Sequence, residues 1–131
     1  MAQRSEQTQS LHDRVITEIT PMLNSQNYDI YTNPGESKNA GIVENYPDII
    51  MTEKGTKTVK FILEVETHDS INLTEAESQW KKYATDIKAT FYLVVPEQEI
   101  NRANELCKKV GVNVRFSTYS LENNILSFKF R

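Results

Sequence analysis

Cysteine is almost missing from this chain: Cys107 is the single thiol in 131 residues. That excludes an internal disulfide framework and leaves no second thiolate for a Cys-based zinc site, a usage that points to an intracellular, cytoplasmic protein. Long apolar runs are also absent. None approaches the roughly 20 residues of a membrane span, and the opening "MAQRSEQTQS" has no apolar core of the signal-peptide kind, so no membrane association is expected. Excess positive charge is lacking as well, with 15 Lys and Arg against 18 Asp and Glu and a formal net charge of −3. The surface as a whole does not attract polyanions, although a local basic patch is compatible with that total. Internal repeats and low-complexity segments are not evident.

The length suits one domain able to bury a substantial core. Residues 1–10 read as a frayed terminus and 11–131 as the domain. Leu11, Val15, Ile19 and Met22 or Leu23 recur at helical spacing, with Pro21 weakening the last turns. "YDIYT" reads as a strand, "NPGESKNAGIVENY" as a long polar loop, and "PDIIMTE" and "TVKFILEVE" as two adjacent antiparallel strands around a turn containing Gly55. Thr74 and Glu77 have the spacing of a capping box ahead of a helix from about Glu75 to Thr85. The apolar run "ATFYLVVP" fits a strand covered on both faces. Ile100, Ala103, Cys107 and Val110 mark a further helix stopped by Gly111. "VNVRFSTYS" gives a fifth strand, and "NNILSFKFR" either a further strand or a segment packed across the first helix. The order αβββαβαβ implies an α/β fold with a mixed central β-sheet flanked by helices.

The stretch "FILEVE" is the anomaly. Residues two apart on a strand share a face, so Glu64 and Glu66 project to the same side of a strand that is otherwise apolar. If "PDIIMTE" pairs with it, Asp48 approaches Glu64 across the ladder. Carboxylates held together out of water repel, and either one takes up a proton or a cation joins them. From Glu44 to Glu77 there are eight acidic residues against three lysines. All-oxygen ligands of this kind suit Mg²⁺ or Mn²⁺. A carboxylate of this kind taken alone is more often a solvated or lysine-paired strand-end residue than a catalytic one, and it is their combination that points to a site.

Pro47-Asp48, Glu64-Val65-Glu66 and the following helix with Gln79 and Tyr83 in "QWKKY" together resemble the PD-(D/E)xK nuclease superfamily, the restriction-endonuclease-like fold. The closest motif likeness is to its RecB-type and archaeal Holliday-junction-resolvase branches, over about Leu11 to Ser120. The resemblance implies a metal-dependent nuclease hydrolysing DNA phosphodiester bonds. Asp48 and Glu64 would be the metal ligands, joined by the Val65 carbonyl and by Glu18 on the first helix, and Glu66, Gln79 and Tyr83 would complete the catalytic set. Glu66 stands where the family carries its lysine. The alternative that follows is a catalytically impaired module of the same fold that binds nucleic acid or a partner protein. Lys38, Asn39, His68 and Lys82 are the candidate nucleic-acid contacts, each of which also reads as an ordinary solvated side chain. A homodimer or a larger protein partner accords with a small nuclease of this type.

Overall fold

The computed structural model describes residues 4–33, 41–42 and 45–130. Among the described residues six strands form one mixed sheet whose spatial order follows chain order: β1 (Tyr28–Thr32), β2 (Ile49–Glu53), β3 (Val59–Val65), β4 (Thr90–Pro96), β5 (Arg115–Glu122) and β6 (Ile125–Phe130). Neighbours β1 to β3 are antiparallel, β3, β4 and β5 run parallel, and β6 returns antiparallel to β5. The C-terminal segment is therefore a strand. Its hairpin turns on Asn123 and Asn124, both at positive φ (51° and 62°), which asparagine tolerates better than most residues.

Each parallel connection carries a helix, as parallel pairing requires. Helix α2 spans residues 73–86 in three parts: α-helix at Leu73–Glu75, a π-helical turn at Ala76–Trp80, and α-helix again at Lys81–Asp86. Helix α3 covers Ile100–Val110 and ends at Gly111, whose left-handed conformation (φ 74°) lets its N–H reach back to the last turn. Helix α1 runs Glu6–Ile19, followed by a 3₁₀ turn at Thr20–Met22 that contains Pro21.

Two expectations about helix starts are corrected here. The first helix opens at Glu6 rather than Leu11, because Ser5 caps it by accepting from the Thr8 N–H, so the described part of 1–10 is largely helical. The α2 cap is Asn72, not Thr74. Its side chain accepts from the Glu75 N–H at 2.9 Å, the same three-residue spacing two positions earlier.

Alternation along the strands divides the core. Ile50, Ile62, Leu93 and Val95 face α2 and α3, where they meet Ala76, Trp80, Tyr83, Ala103 and Cys107. Ile49, Met51, Leu63, Val65 and Val94 face α1 and pack on Val15, Ile16 and Ile19. Helices thus cover both sides of the central strands, and each fully buried aliphatic side chain contributes about 1.5–3 kcal/mol. Glu64 shares the parity of Ile62, which turns it toward α2. Among the described residues no helix is long and apolar enough to cross a membrane.

Candidate functional site

Antiparallel register opposes Ile49 to Leu63, so the next residues out, Asp48 and Glu64, meet at the end of the β2–β3 ladder. Asn33 fixes the approach to β2: its side-chain amide donates to the Pro47 carbonyl (2.7 Å), and its N–H to the Asp48 carbonyl (2.9 Å). Asp48 and Glu64 then exchange backbone donors. The Asp48 N–H donates to Glu64 Oε1 (2.9 Å), and the Val65 N–H donates to Asp48 Oδ2 (2.7 Å). Each carboxylate is held by the strand that carries the other.

Helix α2 closes this pair from above. The Gln79 side-chain amide lies against Glu75 Oε1 (3.0 Å) and Glu64 Oε2 (3.2 Å), and with its nitrogen inward it donates to both. Glu75 itself is buried, and its second oxygen, Oε2, has no hydrogen-bond partner among the described residues. Tyr83 lies buried one turn further along α2, edge-on to Phe91. Burial and the nearby Glu64, Asp48 and Glu75 charges hold its hydroxyl protonated well above the ordinary tyrosine range.

Glu66 has a different environment. It is fully buried, its N–H donates to the Val94 carbonyl (2.8 Å), and its own carbonyl accepts from the Tyr119 hydroxyl (2.7 Å). Its carboxylate accepts from Ser70 Oγ (2.6 Å) and Trp80 Nε1 (3.2 Å), and the Arg4 guanidinium lies 3.7 Å away. Arg4 also donates to the Val65 carbonyl at 3.2 Å, the carbonyl that the family resemblance gives to a metal.

The electrostatics follow from burial. Glu64 is pushed well above the usual carboxyl range by loss of water, and next by the Asp48 and Glu66 charges. Burial and the Glu75 charge raise Glu66 to about 8, although Ser70 and Arg4 act to lower it. Glu75 is also raised, chiefly by burial and against the pull of Arg4. His12 stands on the other flank of Asp48, its Nε2 3.0 Å from Oδ2 and its Nδ1 2.9 Å from Asp13 Oδ1. Burial alone would lower its pKa, but the bonds to Asp48 and Asp13 and the Asp48 charge outweigh that, so His12 is raised.

Asp48, Glu64, Gln79 and Tyr83 are therefore gathered in one place, with Glu66 adjoining. Glu18 is not among them, which corrects the expectation from the first helix. It pairs with Arg14, one turn away, and Arg14 in turn holds Asn124 at the β5–β6 turn. His12 takes the position beside Asp48 instead. His68 and Lys82 are exposed, while Lys38 and Asn39 lie outside the described residues.

The residues missed from sequence are Arg4, His12 and Glu75. His12 was detectable as the titratable member of the buried stripe Thr8, His12, Val15, Ile16, Ile19, and Glu75 as the third residue after an Asn cap. Arg4 carries no comparable signal.

A divalent ion fits the donor chemistry, which is all carboxylate and amide oxygen with one imidazole and no thiolate. Burial is the chief cause that raises all three carboxyls, and Glu75 Oε2 has no partner among the described residues. Among the described residues no group of three or more His, Cys, Asp or Glu side chains forms a ready metal-ligand set. No protein-family model matches the sequence, and neither a curated protein nor a solved structure matches it significantly.

Proposed function

We propose that this chain is a restriction-endonuclease-like, metal-dependent nuclease that hydrolyses DNA phosphodiester bonds. The observation that carries the reading is the clasp of Asp48 and Glu64 across a strand pair, the Glu64 carboxylate held by the Asp48 N–H and the Asp48 carboxylate by the Val65 N–H, with Gln79 of the next helix against Glu64. Asp48 and Glu64 would hold Mg²⁺ or Mn²⁺, which when bound polarises a phosphoryl oxygen and lowers the pKa of its water. The protein's own part is placement and charge. His12 restrains Asp48, Gln79 restrains Glu64, and Arg4 supplies fixed positive charge next to Glu66. Exposed Lys82 and His68 offer contacts to the DNA backbone. A homodimer or a larger partner would supply a second site for cutting both strands.

The second reading, an impaired module of the same fold that binds nucleic acid or a partner protein, is favoured by one observation. Glu66 occupies the lysine position and is closed in by Ser70, Trp80 and Arg4, so it is not placed to reach a substrate. The two readings separate on incubation with linear, single-stranded and branched DNA in Mg²⁺ or Mn²⁺, beside Asp48→Asn and Glu64→Gln. Cleavage lost in both variants supports the nuclease, and cleavage surviving in both removes this site from consideration. Binding without cleavage by the unaltered protein establishes the impaired module.

A further inference from the structure

The clasp of Asp48 and Glu64 leaves one group unexplained. Glu75 is buried at 4% exposure, and its Oε2 accepts no hydrogen bond from any described residue. An unmatched carboxylate oxygen away from water is costly, while Ala76 and Trp80 of the same helix belong to the apolar core.

The spacing around Glu75 is informative. One atom of the Gln79 amide lies 3.0 Å from Glu75 Oε1 and 3.2 Å from Glu64 Oε2. An amide has two faces of nearly equal size and opposite hydrogen-bonding character. With nitrogen inward, Gln79 bonds both carboxylates. With oxygen inward, the Gln79 carbonyl faces one oxygen of each carboxylate, and those two separations are close to the roughly 3.0 Å between neighbouring ligands around a small octahedral ion at bond lengths of about 2.1 Å. The π-helical turn at Ala76–Trp80 contains the Gln79 end of this arrangement, and such turns are frequent at functional sites because the extra residue re-aims side chains.

We propose that Glu75 and Gln79 are metal ligands, so that a divalent cation is held between Glu64 on β3 and this pair on α2, with the Gln79 carbonyl oxygen turned inward. The inference rests on the metal-dependent reading of Asp48 and Glu64 and adds a ligand pair from the following helix. It gives a counter-charge to a buried carboxylate that has one oxygen without a partner among the described residues.

Mn²⁺ binding by calorimetry tests it without reference to DNA cleavage, with Mn²⁺-induced thermal stabilisation as a second readout. The unaltered protein should bind Mn²⁺, and Glu64→Gln should abolish binding. Glu75→Gln should weaken it at least tenfold and remove most of the thermal stabilisation. Gln79→Glu, which puts a carboxylate in the ligand position, should tighten it at least tenfold. Native affinity in Glu75→Gln together with loss in Glu64→Gln overturns this assignment while leaving the metal reading intact. Absence of Mn²⁺ binding by the unaltered protein and by Gln79→Glu overturns both. Should Glu75→Gln fail to fold, Gln79→Ala decides in its place: Mn²⁺ affinity weakened at least tenfold supports the assignment, and native affinity overturns it.

Discussion

Replacing Glu66 by glutamine should flatten the dependence of stability on pH. In the folded chain burial and the Glu75 charge raise the Glu66 carboxyl from 4.5 to about 8, whereas in the unfolded chain it titrates as an ordinary glutamate. Between those values the native state holds a proton that the unfolded state has released. Stability therefore falls as pH rises through that window and is constant above it. At about 1.4 kcal/mol per pH unit the full window amounts to about 5 kcal/mol, an upper bound because Glu64 and Glu75 share the same field. That is a large part of the 5–15 kcal/mol or so that holds a typical domain together. Glutamine keeps an acceptor for Trp80 Nε1 but carries no titrating proton, so the Glu66 share disappears and a smaller slope from Glu64 remains. The assay is urea unfolding at intervals from about pH 5 to pH 8 in the presence of a chelator, followed by the fluorescence of Trp80, the single tryptophan of the chain. The unaltered protein should lose several kcal/mol across the range, and Glu66→Gln distinctly less. Parallel profiles for the two proteins would refute the reasoning, since they would show that Glu66 ionises alike in the folded and unfolded states.

Two further outcomes follow from the same neighbourhood. Glu66→Lys places an ammonium group at a fully buried position beside Arg4 and deprives Ser70 and Trp80 of their acceptor; urea denaturation should show a loss of about 3–5 kcal/mol. Tyr119→Phe removes the donor to the Glu66 carbonyl and should cost about 1–3 kcal/mol in thermal or urea unfolding, with little change in the pH profile.

The parts of this architecture that were legible in the sequence are those written in hydrophobic period. The runs through Phe61–Val65 and Phe91–Val95 leave little choice but covered strands, and alternation alone puts Glu64 on the side of Ile62. Register did the rest, because pairing "PDIIMTE" with "TVKFILEVE" brings Asp48 to Glu64. The π-helical turn left no trace, since nothing in "AESQW" separates four residues per turn from a wider one. Helix starts were misplaced for a related reason. Capping depends on which polar side chain folds back, and Asn72 and Thr74 each have a glutamate three residues on, so spacing does not choose between them. Arg4 and His12 escaped because their roles come from tertiary contacts. Arg4 is held by Thr67, Ser70 and the Val65 carbonyl, more than 60 residues distant, and Ser5 and Thr8 are tied to the Asp69 carboxylate.

The sheet's agreement between spatial and chain order has a kinetic consequence. The β2–β3 and β5–β6 hairpins close through short local turns, whereas the β1–β2 pairing spans residues 33–48 and the parallel β3–β4 and β4–β5 pairings wait for helical crossovers, the slower and more entropically costly closures. Glu66 lies on that late seam, bonded through its N–H to Val94 and through its carbonyl to Tyr119. Asp48 and Glu64 meet in the local β2–β3 hairpin, but the crowding of Glu66 against Glu75 is deferred until the crossover helix has docked. Relieving it at Glu66 should slow unfolding far more than it speeds folding.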